Sequence, residues 1–247
     1  MVAAAHLAIV AAVQGQQVES PGAAQSHLKQ MEAAYAQLQS YSDNSVVLYR
    51  NPDGTERSTV KFKIWFARPT RFRIDANSTS TTGGPPRREV MWADGENARA
   101  WSLGKAVVNL DKIQIAGSKM FGTYAYHVPT LLDASYGGQK RIHELSSPTL
   151  AGEETIEGVN CVRITGQFHG DPYDLWIGKS DHLLRKVVAN YRGNQMEELH
   201  REVAVNPTLT PDVFKFAPEN EPVPPPAKAT PTPVKKDPTP AAKKTAR

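Results

Sequence analysis

Val60, Phe62, Ile64 and Phe66 alternate with Lys61, Lys63 and Trp65. A period of two predicts a strand with one dry face and one largely wet face. After Arg68-Pro69-Thr70 the alternation resumes, with Phe72 and Ile74 set against Arg71, Arg73 and Asp75. Strands wetted on one side belong to antiparallel sheets, not to parallel sheets buried on both sides.

The same pattern recurs along the chain. Ser45 to Arg50 leads into Asn51-Pro52-Asp53-Gly54, a hairpin signal. Glu89 to Ala93 and Asn97 to Leu103 flank Asp94-Gly95-Glu96. In the second half, Glu153 to Ile156 and Val159 to Phe168 flank Glu157-Gly158. Tyr173 to Ile177 and Leu183 to Tyr191 flank Gly178-Lys179-Ser180-Asp181, and Met196 to Val205 follows Arg192-Gly193-Asn194. Asn77 to Arg88 is polar and reads as a loop, and residues 106–126 show no clear period. Asp212 to Phe216 reads as a closing turn or short helix.

Two segments have helical spacing. Leu28, Met31, Tyr35 and Leu38 recur every three or four residues, which predicts an amphipathic helix over 23–42, with Ser26 a candidate cap. Residues 128–136 predict a short helix with Pro129 in its first turn, ended by Gly137-Gly138. The sum is a run of hairpins, roughly ten strands and two helices. No strand–helix–strand alternation appears, which disfavours a doubly wound α/β fold.

The ends differ from this middle. Val2 to Val13 is apolar apart from His6. It has the length of a signal-peptide core and is too short to span a bilayer as a helix. Val13-Gln14-Gly15 offers a cleavage site, so residues 1–15 predict export. Residues 220–247 hold eight of the 19 prolines and almost no large apolar side chain. Such a segment cannot offset its ordering entropy and reads as a disordered, partly polyproline tether.

Charge sharpens the division. The chain has 29 basic and 25 acidic residues, a formal net charge of +4. Six basic and two acidic residues lie in 221–247, leaving 23 of each sign in 1–220. The pI of about 9.1 therefore describes the tail. A neutral domain argues against a nucleic-acid-binding fold, which needs a basic patch on its folded surface. The tail suits either electrostatic attachment to an anionic membrane or cell-wall surface, or a solvated segment with no specific partner.

Candidate chemistry is thin. Cys161 is the single cysteine, which excludes an internal disulfide and a multi-cysteine zinc site. If Val162 and Ile164 face inward, it shares the outer face with Arg163, a cation that would lower a thiol pKa, but it reads first as a small, half-buried strand residue. His143-Glu144, His169-Gly170-Asp171 and Asp181-His182 pair a histidine with an acid, without a second ligand at metal-site spacing. These histidines read as surface or edge residues. Gly178-Lys179-Ser180 lacks the upstream glycine of a phosphate loop, and no G-x-S-x-G occurs. The reading is of a non-enzymatic protein with no metal and no cofactor. What stands out instead is apolar: Trp65, Phe66, Phe72, Trp92, Trp101, Tyr173 and Trp176, with Leu28, Met31, Tyr35 and Leu38 on the helix. A curved sheet covered by such a helix either packs these residues as core or encloses a cavity with them.

The order of elements resembles the LolA/LolB-like superfamily of envelope proteins, and most closely its uncharacterised predicted periplasmic branch. The resemblance rests on Arg68-Pro69-Thr70-Arg71-Phe72-Arg73-Ile74, Trp92-Ala93-Asp94-Gly95, Glu157-Gly158-Val159-Asn160-Cys161, Asp174-Leu175-Trp176-Ile177-Gly178, Leu183-Leu184-Arg185-Lys186-Val187 and Asp212-Val213-Phe214-Lys215-Phe216-Ala217-Pro218. It covers roughly residues 24–219. It implies a mainly β (α+β) domain, an unclosed antiparallel barrel of about eleven strands with helices over the concave side. It implies a periplasmic carrier or binding protein for lipoprotein acyl chains or lipids, monomeric and without a cofactor of its own. The binding residues expected are Phe62, Ile64, Phe66 and Phe72 on the sheet and Leu28, Met31, Tyr35 and Leu38 on the helix. The superfamily's ligand-facing arginine has two candidates, Arg50 and Arg68. The lipid-anchored cysteine of one branch is absent, and the Pro/Lys tail departs from the usual pattern. The alternative is an envelope regulatory or structural module that uses the same fold to bind protein.

Overall fold

The computed structural model describes residues 22–95, 97–110, 127–133 and 141–221. The predicted signal segment, residues 134–136 of the second helix and the tail beyond Glu221 lie outside the described residues.

Eleven strands form one antiparallel sheet. They are β1 (Ser40–Arg50), β2 (Glu56–Ala67), β3 (Arg71–Ser80), β4 (Arg87–Asp94), β5 (Ala98–Ser102), β6 (Val108–Leu110), β7 (Ser146–Ile156), β8 (Val159–Phe168), β9 (Asp171–Gly178), β10 (Leu184–Tyr191) and β11 (Asn194–Val205). The order across the sheet is β6-β5-β4-β3-β2-β1-β11-β10-β9-β8-β7. Every neighbour but one is a sequence neighbour, and the β1–β11 ladder joins the two halves. Among the described residues β6 and β7 remain as edges, so the sheet is an unclosed half-barrel.

Tight turns set the register. Glu157-Gly158, His169-Gly170 and Arg192-Gly193 each link adjacent strands with positive φ at both positions. That geometry follows the right-handed twist of the flanking strands, and a glycine at the second position adopts it without steric cost.

Helix α1 (Ala23–Gln37) crosses the inner face of the sheet. Its buried residues are Ala24, Leu28, Met31 and Tyr35, one face of the predicted stripe. The helix starts at Gly22, in the left-handed conformation, and Ser26 makes no side-chain cap. It stops at Gln37, earlier than the pattern predicted, because Leu38 turns extended and Ser40, Tyr41 and Ser42 already pair with β2. Helix α2 (His127–Leu132) is buried at every residue. The polar run 77–88 is also shorter as a loop than it reads: Asn77 to Ser80 continue β3, and Arg87 and Arg88 open β4. Their side chains are polar because this end of the sheet is exposed.

The core sits between the inner face and the helices. Phe62, Ile64 and Phe66 of β2 and Phe72 and Ile74 of β3 lie there with Leu28, Met31, Tyr35, Leu38, Leu131 and Leu132. The four tryptophans do not join them. Trp65, Trp92 and Trp101 lie on the outer face, in register with Arg73, Asp75 and Val90. Trp176 forms a separate outer cluster with Cys161 and Ile156. The C-terminal segment straps this outer face. Phe216 packs on Trp92 and Trp101 at ring separations of 5.1 and 5.2 Å, with the Arg73 guanidinium 5.2 Å from its ring centre. This strap explains why Val90 and Trp92 alternate with an equally apolar Met91 and Ala93: β4 is dry on both faces.

Candidate functional site

The eight residues predicted to bind a ligand all lie in the inner core, and none is more than 6% exposed. Three of them, Ile64, Phe66 and Phe72, border one small space, while Phe62, Leu28, Met31, Tyr35 and Leu38 are packed in the core without lining it. It is lined by Ile64, Phe66, Phe72 and Ile74 of the sheet and by Pro129 and Leu132 of α2. Its volume is about 20 Å³, room for about one water molecule. In this conformation the predicted pocket is closed by packed side chains.

One side chain ties the two helix ends together beside it. Arg68 follows β2 and reaches the C-terminal ends of both helices. Its Nε donates to Leu38 O at 2.8 Å, and its Nη2 donates to Ala36 O at 3.1 Å and Leu132 O at 2.9 Å. Helix ends leave carbonyls without intrahelical partners, and they carry partial negative charge. A guanidinium satisfies several at once because its donors fan out from a rigid plane. The guanidinium also lies 5.4 Å from the centre of the Phe66 ring. Arg50 instead pairs with Glu197 at 3.0 Å. Of the two candidate arginines, Arg68 is therefore the one at the helices.

A larger space opens at the other end of the inner face. Tyr49 of β1, Met196 of β11, Ala189 of β10 and Tyr173 of β9 lie side by side in the ladder register. With Phe168 they wall a cleft of about 550 Å³ whose remaining lining includes Arg57, His169, Asp171, Tyr191, Asn194 and Gln195. Its walls are aromatic and aliphatic, while hydrogen-bonding side chains gather beside them. Volumes of about 300–1,000 Å³ are typical of small-molecule sites.

Between the two spaces lies a polar chain that no pattern predicted. Asp43 and Ser45 of β1, Glu198 and His200 of β11, and His127 of α2 are each 3% exposed or less. His200 Nδ1 lies 2.7 Å from Asp43 Oδ2. The hydroxyls of Tyr41 and Ser45 donate to the same carboxyl oxygen at 2.9 and 3.0 Å. His200 Nε2 sits 3.2 Å from Glu198 Oε1, outside hydrogen-bond alignment. The other Glu198 oxygen bonds His127 Nδ1. Burial alone would push the His200 imidazolium down, but Asp43 and Glu198 on its two sides outweigh it and raise its pKa to about 9. Burial would likewise push Glu198 up, and the adjacent His127 and His200 hold it at about 2 instead. His200 is thus a buried cation at neutral pH, and Glu198 a buried anion.

Other expectations are corrected here. His143 is buried, not a surface residue, and burial lowers its pKa despite Glu32 at 3.2 Å. Cys161 does share the outer face with Arg163, but it is wholly buried, and burial pushes the thiol up rather than down. The Gly178-Lys179-Ser180 segment is a turn between β9 and β10. Among the described residues, no group of three or more His, Cys, Asp or Glu side chains could hold a metal ion. No helix among them is long and apolar enough to cross a membrane.

The open sheet, the helices over its inner face and the cleft beside the core define an unclosed antiparallel half-barrel. The chain belongs to the family described as predicted periplasmic protein (DUF2092), whose model matches residues 24–223. That places it in the periplasm, the compartment expected from its N-terminus. Among solved structures, it resembles LprF from Mycobacterium bovis, with 16% identity over 76% of this chain and 94% of that one and a TM-score of 0.50. It also resembles the Mycobacterium tuberculosis lipoprotein LppX, with 15% identity, 77% and 99% coverage and a TM-score of 0.47. A third is the LolA superfamily protein from Nitrosomonas europaea, with 12% identity, 78% and 97% coverage and a TM-score of 0.37. At these identities the likeness is one of fold. No curated protein matches the sequence.

Proposed function

We propose that this protein is a non-enzymatic periplasmic binding protein that carries the acyl chain of a lipid or lipoprotein between its sheet and helices. The cleft of about 550 Å³ beside the core carries this reading. Its apolar walls suit methylenes, and Arg57, His169, Asp171, Asn194 and Gln195 suit a polar end left near solvent. Each methylene withdrawn from water contributes about 0.8 kcal/mol. A chain that advances beyond the cleft meets the predicted residues Phe62, Ile64, Phe66, Phe72, Leu28, Met31, Tyr35 and Leu38, once the helices yield. Binding needs no cofactor, and one copy of the chain supplies the whole site.

Titration with a fluorescent fatty acid, followed by displacement with palmitate, tests the reading. Ala189 is 4% exposed and lines the cleft. Ala189→Phe should abolish saturable binding while leaving the melting temperature within a few degrees of the parent. A parent protein that takes up no probe would end the reading. We assign the Lys-rich tail a separate role, electrostatic attachment to an anionic surface. Deleting 222–247 should abolish salt-sensitive pelleting with anionic vesicles, and unchanged pelleting would remove that role.

A further inference from the structure

Helix α2 touches both spaces. Its first residue, His127, lies edge-on to Tyr173 of the cleft at a ring separation of 5.9 Å. Its Pro129 and Leu132 line the closed cavity. Between these contacts, His127 bonds Glu198 in the middle of the sheet. The strand register places the same barrier on β1. Tyr49 lines the cleft, while Tyr41 and Asp43 pair with the cavity residues Phe66 and Ile64. Eight residues separate Tyr49 from Tyr41, about 27 Å of extended strand. Asp43 and Ser45 lie within that span, and Glu198 and His200 lie beside it on β11.

A purely structural role explains this chain poorly. Buried ion pairs contribute little net stability compared with apolar packing. This one is also imperfectly bonded: Glu198 Oε1 and His200 Nε2 face each other at 3.2 Å out of hydrogen-bond alignment, and the buried Asp43 Oδ1 has no hydrogen-bond partner among the described residues. Breaking it costs much more than forming it yields, because a charge is then left buried. Such an arrangement favours two discrete states, with α2 seated or released.

Resting on the acyl-carrier reading, we propose that the His127–Glu198 contact is a gate between the cleft and the cavity. While it holds, only the cleft is open to a ligand. When it releases, α2 lifts from the sheet and the two spaces join into one channel of acyl-chain length. His127 and Glu198 are positioning residues: they act by seating the helix.

Chain length separates gating from binding. Octanoate is short enough for the cleft alone, whereas palmitate needs the joined channel. In Glu198→Gln, stopped-flow uptake of palmitate should rise about tenfold, as expected when a minor open state becomes common, with octanoate uptake unchanged. Hydrogen exchange should rise at the amides of 127–132 without ligand. If Glu198→Gln does not fold by circular dichroism, His127→Gln gives the same test from the helix side. Equal acceleration of both probes, no acceleration of either, or unchanged exchange in α2 would each overturn the gate. Failure of the parent to bind either probe would overturn the carrier reading and the gate with it, whereas normal parent binding with unaltered variant kinetics would overturn the gate alone.

Discussion

Replacing Arg68 by alanine should release the helices without disturbing the sheet. The arginine makes its three shortest hydrogen bonds, at 2.8, 3.1 and 2.9 Å, to carbonyls at the ends of two helices that are otherwise held mainly by apolar packing and, for α2, by the His127–Glu198 contact. A hydrogen bond involving a charged group contributes about 1.5–3 kcal/mol. The carbonyls lie at helix ends, where water replaces part of what is lost, so each bond counts for about 1–1.3 kcal/mol, the worth of an ordinary hydrogen bond. The sum is about 3–4 kcal/mol, more than a hundredfold in the opening equilibrium at about 1.4 kcal/mol per factor of ten. Hydrogen exchange at the last turn of α1 and through α2 reads that opening directly. In Arg68→Ala, those amides should exchange about a hundredfold faster, while β1, β2 and β11 keep their protection. Arg68→Lys should recover roughly a third of the effect, because an ammonium on a flexible stem cannot span three carbonyls. Exchange within about threefold of the parent in Arg68→Ala would show that Arg68 does not seat the helices, and would refute the reasoning.

Stability should fall at both ends of the pH range. His200 has a folded pKa near 9 against an ordinary 6.5, so its contribution is complete below about 6.5 and is lost as the pH rises through 9. Glu198 has a folded pKa near 2 against 4.5, so its contribution is present above about 4.5 and is lost as the pH falls toward 2. Urea midpoints should peak near pH 5–6. They should decline between 6.5 and 9 by up to about 3 kcal/mol in the parent, and a profile flat across that window would contradict the charge assignment. On the outer face, Phe216→Ala should cost about 2 kcal/mol through lost packing and cation–π contact. It should expose the segment after Val205 to protease yet leave fatty-acid binding intact; altered binding would show that the two faces are coupled.

The dry faces of β2 and β3 were legible from alternation alone, as was the helix stripe of Leu28, Met31 and Tyr35. The polar chain was not, and for a physical reason. A period of two counts Asp43, Ser45, Glu198 and His200 as wet positions, yet each faces inward and is satisfied mainly by another of the group. Their mutual pairing depends on β1 meeting β11, a contact between segments more than 150 residues apart. The same residues hid the start of β1: the predicted helix runs on to Ser42 and the predicted strand begins only at Ser45, whereas β1 starts at Ser40. Trp92, Trp101 and Trp176 misled in the opposite direction: their size suggested the inner core, but cation–aromatic contact and the Phe216 strap cover them on the outer face. Alternation already sets Trp65 with Lys61 and Lys63 on that face. Arg68 stood out within its Arg-Pro-Thr turn, but its role required the two helix ends to meet there.

The central claim is that the inner face holds an acyl chain. Native mass spectrometry of the protein isolated from a cell-envelope fraction tests it most directly. The account predicts a population heavier than the polypeptide by the mass of an acyl-bearing lipid, returned to the bare mass by excess palmitate and missing in Ala189→Phe. A single species at the polypeptide mass, unchanged when palmitate is added, would contradict it.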